Sequence, residues 1–245
     1  TGEVANAIGV SRVESSLGTG QNNVIGGADA GMGNVISGNT SAGIQLQGQN
    51  DFVWGNLIGL RADGVSALGN GVGINLNNGT AQNNIIGDTD IRPGACSGKC
   101  NKIAFNLQQG VLISTNGNTG NRIIGNSIFS NGALGIDLAP TGVTPNDPDD
   151  GDSGPNGLQN FPVISAALTL GSGDNRTTTF QGTLNSATST LYRIEFFSNT
   201  TCDAGNNCEG QNFLGFTNVT TDGAGNAVIN VTLPTPSGIA AGNFV

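Results

Sequence analysis

The sequence predicts an all-β fold, a right-handed parallel β-helix followed by a small immunoglobulin-like β-sandwich, and three observations carry the prediction. Glycine (41 residues) and asparagine (33) dominate the 245 positions, whereas charged residues make up only 10%. A short motif of asparagine, an apolar pair and a small residue recurs through the first 140 residues. Beyond residue 163 the apolar residues fall into longer runs that alternate with polar ones.

The recurring motif comes first in the chain. It stands at Asn23-Val-Ile-Gly, Asn34-Val-Ile-Ser, Asn56-Leu-Ile-Gly, Asn84-Ile-Ile-Gly and Asn121-Arg-Ile-Ile-Gly, with Asn101-Lys-Ile-Ala a looser copy. A second motif, glycine then two apolar residues flanking any third, stands at Gly43-Ile-Gln-Leu46, Gly73-Ile-Asn-Leu76, Gly110-Val-Leu-Ile113 and Gly135-Ile-Asp-Leu138. From Asn34 to Asn121 the first motif advances by about 22 residues per step. A longer offset of 61 links Asn22 to Asn83, and three coils of about 21 residues account for it. Strands of three to five residues cannot bury an apolar face alone; stacking them coil on coil hides Ile, Val and Leu in a continuous axial core. Asparagine and glycine suit the turns because they tolerate left-handed backbone. The crossover preference makes the coil right-handed. The expected boundaries are 1–140 for the β-helix, 141–162 for a linker and 163–245 for the sandwich.

The linker follows from Thr144-Pro-Asn-Asp-Pro-Asp-Asp-Gly-Asp-Ser-Gly-Pro155, which suits neither helix nor strand. Beyond it, Tyr192, Ile194 and Phe196 alternate with Arg193 and Glu195, as Ile229, Val231 and Leu233 do with Asn230 and Thr232. Such alternation marks half-buried antiparallel strands, expected near 163–170, 177–184, 191–197, 213–220 and 227–233. A sixth strand would begin at Gly242-Asn-Phe-Val245, so the sandwich is expected to be incomplete at that edge; the missing strand lies outside this sequence, is disordered, or is supplied by a neighbouring subunit. Because Thr1 opens the chain without Met and in mid-pattern, the chain is expected to be a processed form or a fragment.

Composition excludes several functions. The net charge is −9 with eight basic residues and no His, which removes the commonest acid/base group and argues against nucleic-acid binding. No stretch approaches 18 consecutive apolar residues, so no membrane span is expected. Cys96 with Cys100, and Cys202 with Cys208, are spaced for two small disulfide loops, and a four-cysteine zinc site is the rival reading. Disulfides point to an extracellular or cell-surface location. Six Asn-x-Ser/Thr sequons occur, about the number chance gives for this composition.

The runs Gly33-Asn-Val-Ile-Ser-Gly-Asn39, Gly55-Asn-Leu-Ile-Gly59, Leu134-Gly-Ile-Asp-Leu138, Gly157-Leu-Gln-Asn-Phe-Pro-Val-Ile164, Ile194-Glu-Phe-Phe-Ser-Asn199 and Glu209-Gly-Gln-Asn-Phe-Leu-Gly215 give the chain its resemblance. It resembles bacterial cell-surface proteins with right-handed parallel β-helix repeats of pectate-lyase-like architecture and a C-terminal immunoglobulin-like sandwich. The resemblance implies the architecture over nearly the whole chain and says little about activity.

Candidate chemistry is sparse. At equivalent strand positions stand Gln45, Asn75, Leu112 and Asp137, one carboxylate in four, and a lone carboxylate cannot supply both an acid and a base. No catalytic set is therefore assigned. Asp137 with Arg122 is the least remote pair, and Arg61 and Lys102 are further candidate bases. Asp147, Asp149, Asp150, Asp152 and Asn156 place oxygen ligands at alternate loop positions around a Gly turn, as calcium requires, against the alternative of a solvated acidic linker. Phe52 and Trp54 share a strand face and form either a sugar-stacking platform or core filler. The expected function is an extracellular structural or adhesive protein, a surface, matrix or filament subunit that self-associates or contacts glycans. The alternative is a carbohydrate-active enzyme or glycan-binding module.

Overall fold

The computed structural model describes residues 5–13, 20–90, 93–94, 96–200, 202 and 208–236. These divide into two compact units. The first comprises the described residues up to 90, residues 96–143 and residues 154–156; the second comprises 93–94, 144–153 and those from 157 onward. The expected linker is thus shared between the units, with its acidic run in the second.

The first unit is a β-helix-like stack of three parallel sheets. One sheet runs β1 (Ile8–Val13), β4 (Ala42–Gln47), β7 (Val72–Leu76), β10 (Val111–Ile113) and β13 (Ile136–Leu138). The second runs β2 (Val24–Gly26), β5 (Phe52–Trp54), β8 (Ile85–Gly87) and β11 (Arg122–Ile124). The third runs β3 (Val35–Ile36), β6 (Leu57–Ile58), β9 (Lys102–Ala104) and β12 (Ser127–Phe129). Consecutive strands belong to different sheets, so the chain visits all three before it returns, completing four rungs and beginning a fifth.

This corrects the expected coil of about 21 residues. Successive strands of the first sheet pair Val10 with Ile44, Ile44 with Ile74, Ile74 with Val111 and Val111 with Ile136, so the rungs measured there span 34, 30, 37 and 25 residues. The 61-residue offset is two rungs, not three coils. Ile44, Ile74 and Val111 stack inward, as do Val53 on Ile86 and Ile58 on Ile103, and all are fully buried. Each such side chain contributes about 1.5–3 kcal/mol through burial.

Asparagine holds the corners. At the corner before the second sheet stand Asn23, Asp51, Asn84, Asn121 and Asn156; before the third, Asn34, Asn56, Asn101 and Asn126; before the first, Asn39, Asn70, Asn106 and Asn131. Asn56 sets the pattern. Its backbone N–H and Nδ2 both donate to Asn101 Oδ1 at 3.0 Å, and its own Oδ1 accepts the same pair of bonds from Asn34. Asn39, Asn70 and Asn106 likewise donate twice to the next rung. A buried amide is tolerated only when bonded, and these amides satisfy both themselves and the backbone of the bend. Each strand of the second sheet that ends in Gly26 or Gly87 turns there with φ of 96° or 87°. A Cβ at either site would strike the carbonyl of Trp54 or Ile124 on the neighbouring rung.

The second unit is antiparallel. One sheet runs β14 (Val163–Leu170), β15 (Thr177–Asn185) and β18 (Asn226–Pro234); the other pairs β16 (Leu191–Ser198) with β17 (Asn212–Thr220). All five lie within a residue of the positions that alternation predicts. Phe180 and Phe196, with ring centroids 4.4 Å apart, pack among Leu184, Ile194, Leu214 and Ile229. The expected sixth strand lies outside the described residues.

Candidate metal site

The acidic run folds around Asn160, which is 4% exposed. Asn160 Oδ1 accepts from Asp147 N at 3.1 Å, and its Nδ2 donates to the carbonyls of Asp147 and Asn185 at 2.7 and 2.9 Å. Pro148 starts a single 3-10 turn, Pro148–Asp150, and Asp149 and Asp150 take positive φ of 59° and 58°. The chain therefore doubles back within six residues. One oxygen from each of Asp147, Asp150 and Asp152 falls within 4.8 Å of the others.

Protein donors satisfy part of this cluster. Asp147 Oδ2 accepts from Gly151 N, and Asp150 Oδ1 accepts from Asn160 N at 2.7 Å. Ser186 Oγ, 2.9 Å from Tyr192 Oη, donates to Asp150 Oδ2 at 3.0 Å. Asp147 Oδ1 and Asp152 Oδ1 are sealed from solvent without a donor. Desolvation, then the charges of Asp147 and Asp150, push the Asp152 pKa up. Three carboxylates so placed could hold a metal ion, which would remove the repulsion and supply the missing partner.

The other two predicted ligands lie elsewhere. Asp149 N donates to Asn185 Oδ1, and the Asp149 carboxylate is not in the cluster. Asn156 belongs to the first unit, where its Oδ1 accepts from Asn121 N at 2.8 Å and its Nδ2 donates to Asn121 O. It terminates a corner ladder. Spacing treats 147–156 as one loop, but the boundary between the units runs through it.

Asp137 and Arg122 are on different sheets. Asp137, on β13, is 1% exposed, and its Oδ2 accepts from Gln109 Nε2 at 2.9 Å and Gly142 N at 3.2 Å. Arg122, on β11, is exposed. The predicted column is real, since Gln45, Asn75, Leu112 and Asp137 are register partners on adjacent strands. Lys102 is aligned with Leu57 and Ser127, and Arg61 N closes a turn on Ser66 O. Phe52 and Trp54 are half-buried with centroids 4.7 Å apart. Lys99 Nζ lies 4.4 Å above the indole and 2.7 Å from Asp88. Burial works against ionising Asp88, but bonds from Lys99 and Thr89 outweigh it and hold its pKa below the ordinary value.

Both cysteine pairs are disulfides, Cys96 to Cys100 and Cys202 to Cys208, with Cα atoms 5.2 and 4.5 Å apart. Among the described residues no helix is long and apolar enough to cross a membrane.

One charged residue escapes the spacing argument. Asp51, fully buried, replaces asparagine in a corner ladder: its Oδ1 accepts from Asn23 N and Nδ2 at 2.9 and 2.7 Å, and its N donates to Asn84 Oδ1. Arg12 Nε on β1 faces Asp51 Oδ2 at 2.9 Å, too poorly aligned for a hydrogen bond but close enough to neutralise the charge. The signal was present, because Asn50-Asp-Phe-Val53 matches Asn83-Asn-Ile-Ile86 with aspartate for asparagine.

No protein-family model matches the chain, and no curated protein sequence does so.

Proposed function

We propose that this chain is an extracellular structural or adhesive protein, a subunit of a surface, matrix or filament. In this reading the first unit is a right-handed parallel β-helix serving as a stiff spacer, and the second is an immunoglobulin-like sandwich serving as a contact module. One observation carries it: twelve asparagines and one aspartate form three stacked corner ladders over four rungs, while the one cluster of three acidic groups found among the described residues belongs to the second unit. Amide ladders resist deformation without creating a reactive centre. The two disulfides suit an oxidising, extracellular setting. Electron microscopy of the purified chain tests the reading. Filaments or ordered assemblies are expected, together with no cleavage of acidic or neutral polysaccharides; single particles that degrade a polysaccharide would overturn it.

Calcium is the proposed occupant of the Asp147, Asp150 and Asp152 cluster, because all its donors are carboxylate oxygens. Adding Ca²⁺ after chelation should raise the melting temperature in the wild type and leave Asp150→Asn unmoved.

Glycan binding is the second reading. Phe52 and Trp54, adjacent on the outer face of β5, support it as a stacking surface.

A further inference from the structure

Among the described residues β14 is an edge strand of its sheet: it hydrogen-bonds only to β15, and its eight residues, Val-Ile-Ser-Ala-Ala-Leu-Thr-Leu, include neither a charge nor a proline. Exposed edges normally carry lysine, proline or a bulge that blocks further pairing. Here a register shift between Ile164 and Ala166 disturbs the start of the strand, and Ala166–Leu170 continues in regular register with Gln181–Thr177. Leu168 and Leu170 are 59% and 62% exposed.

We propose that this edge pairs with the same edge of a second copy, joining two three-stranded sheets into one of six strands. The inference rests on the self-association reading above and names its surface. Residues opposite one another in antiparallel strands must point to the same face. Ala166, Leu168 and Leu170 lie opposite Gln181, Thr179 and Thr177, whereas Ala167 and Thr169 lie opposite the buried Phe180 and Thr178. Pairing the strand with itself about Leu168 sets Leu168 against its twin, Ala166 against Leu170 and Ala167 against Thr169, so every pair matches in face.

The self-association reading supplies the partner, a second copy, and charge selects where two copies can meet. Each chain carries −9, so two copies repel unless they meet where charge is absent. The outer face continues from β14 as the rows Ala166, Gln181, Asn230; Leu168, Thr179, Thr232; and Leu170, Thr177, Pro234, all uncharged. A lysine at position 168 would stand opposite another lysine in the dimer, while Val228, on the far strand β18 of the same face and 77% exposed, lies away from the junction.

Sedimentation velocity over a concentration series tests this. The wild type should dimerise reversibly, Leu168→Lys should raise the dimer Kd at least tenfold, and Val228→Lys should leave it unchanged. An equimolar mixture of Leu168→Lys and Leu168→Glu should restore dimers, which also shows that both variants fold. A Leu168→Lys protein that dimerises like the wild type overturns the proposal, as does loss of dimers in Val228→Lys with their retention in Leu168→Lys. Wild-type filaments that persist in Leu168→Lys, without a Leu168-dependent dimer, would reject this edge and keep the structural reading. A wild type that neither dimerises nor forms filaments would reject both.

Discussion

Replacing Arg12 with alanine should destabilise the first unit far more than removal of a surface charge would. Asp51 is fully buried, and Arg12 Nε at 2.9 Å is the cation paired with it. Removing one partner of a buried pair typically costs about 3–5 kcal/mol, because the other charge stays buried and uncompensated. Asp51 Oδ1 would still accept two bonds from Asn23, which places the expected loss at the low end, about 3 kcal/mol. Asp51→Asn should cost less, about 1 kcal/mol, since an amide fits the ladder and the partly exposed Arg12 can regain water. The double variant should then cost about 1 kcal/mol, about 2 kcal/mol less than Arg12→Ala alone, and the resulting coupling of about 3 kcal/mol between the two substitutions reports the pair itself. Trp54 is the only tryptophan and lies on the strand that Asp51 precedes, so its fluorescence during urea unfolding reads this region. Arg12→Ala should lower the midpoint by roughly 1–2 M. A shift below about 1 kcal/mol, with no recovery in the double variant, would refute the view that Arg12 compensates a buried charge.

Three further outcomes are expected. Asn101→Ala should cost about 3 kcal/mol or more in the same urea assay, because Asn56 N, Asn56 Nδ2 and Val53 O would all lose a buried partner. Hydrogen bonds from the Ser66 side chain and from the backbone of Ser66 and Val65 lower the Asp63 pKa to about 2. Its stabilising effect is therefore complete above the ordinary carboxylate range and is lost as pH falls through about 4 towards 2; an NMR titration should give that midpoint, and Ser66→Ala should raise it only part of the way to normal, because the backbone donors at residues 65 and 66 remain. Reducing the Cys96 to Cys100 disulfide should change Trp54 emission, because the closed loop holds Lys99 over the indole, and Lys99→Met should abolish most of that response.

The apolar strands and the corner asparagines were legible in the sequence because each obeys a local rule: a short β-prone run cannot hide its face alone, and a tight bend favours asparagine or glycine. The rung length was not. Asn23 and Asn34 stand at two corners of one rung, yet they look like successive copies of a single repeat. Only the register separates the ladder of Asn34, Asn56, Asn101 and Asn126 from that of Asn23, Asp51, Asn84 and Asn121. The five antiparallel strands were legible to within a residue because alternation with period two is unambiguous over eight or nine positions. Of the five residues that spacing puts forward for calcium, Asp147, Asp150 and Asp152 lie close enough together to hold a metal ion, and two lie elsewhere. Asp149 turns away through its left-handed backbone, and Asn156 caps a ladder. Neither fate is encoded in distance along the chain.

The ladders also decide where the first unit can accept new sequence. Each corner fixes its register through one side chain, so the stretch between two corners is free to differ in length from turn to turn. Asn34 is followed by Asn56 after 22 residues and Asn56 by Asn101 after 45, yet both contacts have the same geometry. The excess at the second step is accommodated outside the core, in part by the excursion that Cys96 and Cys100 close. Such excursions are natural grafting sites: a foreign peptide placed there would be displayed without shifting any strand above or below it.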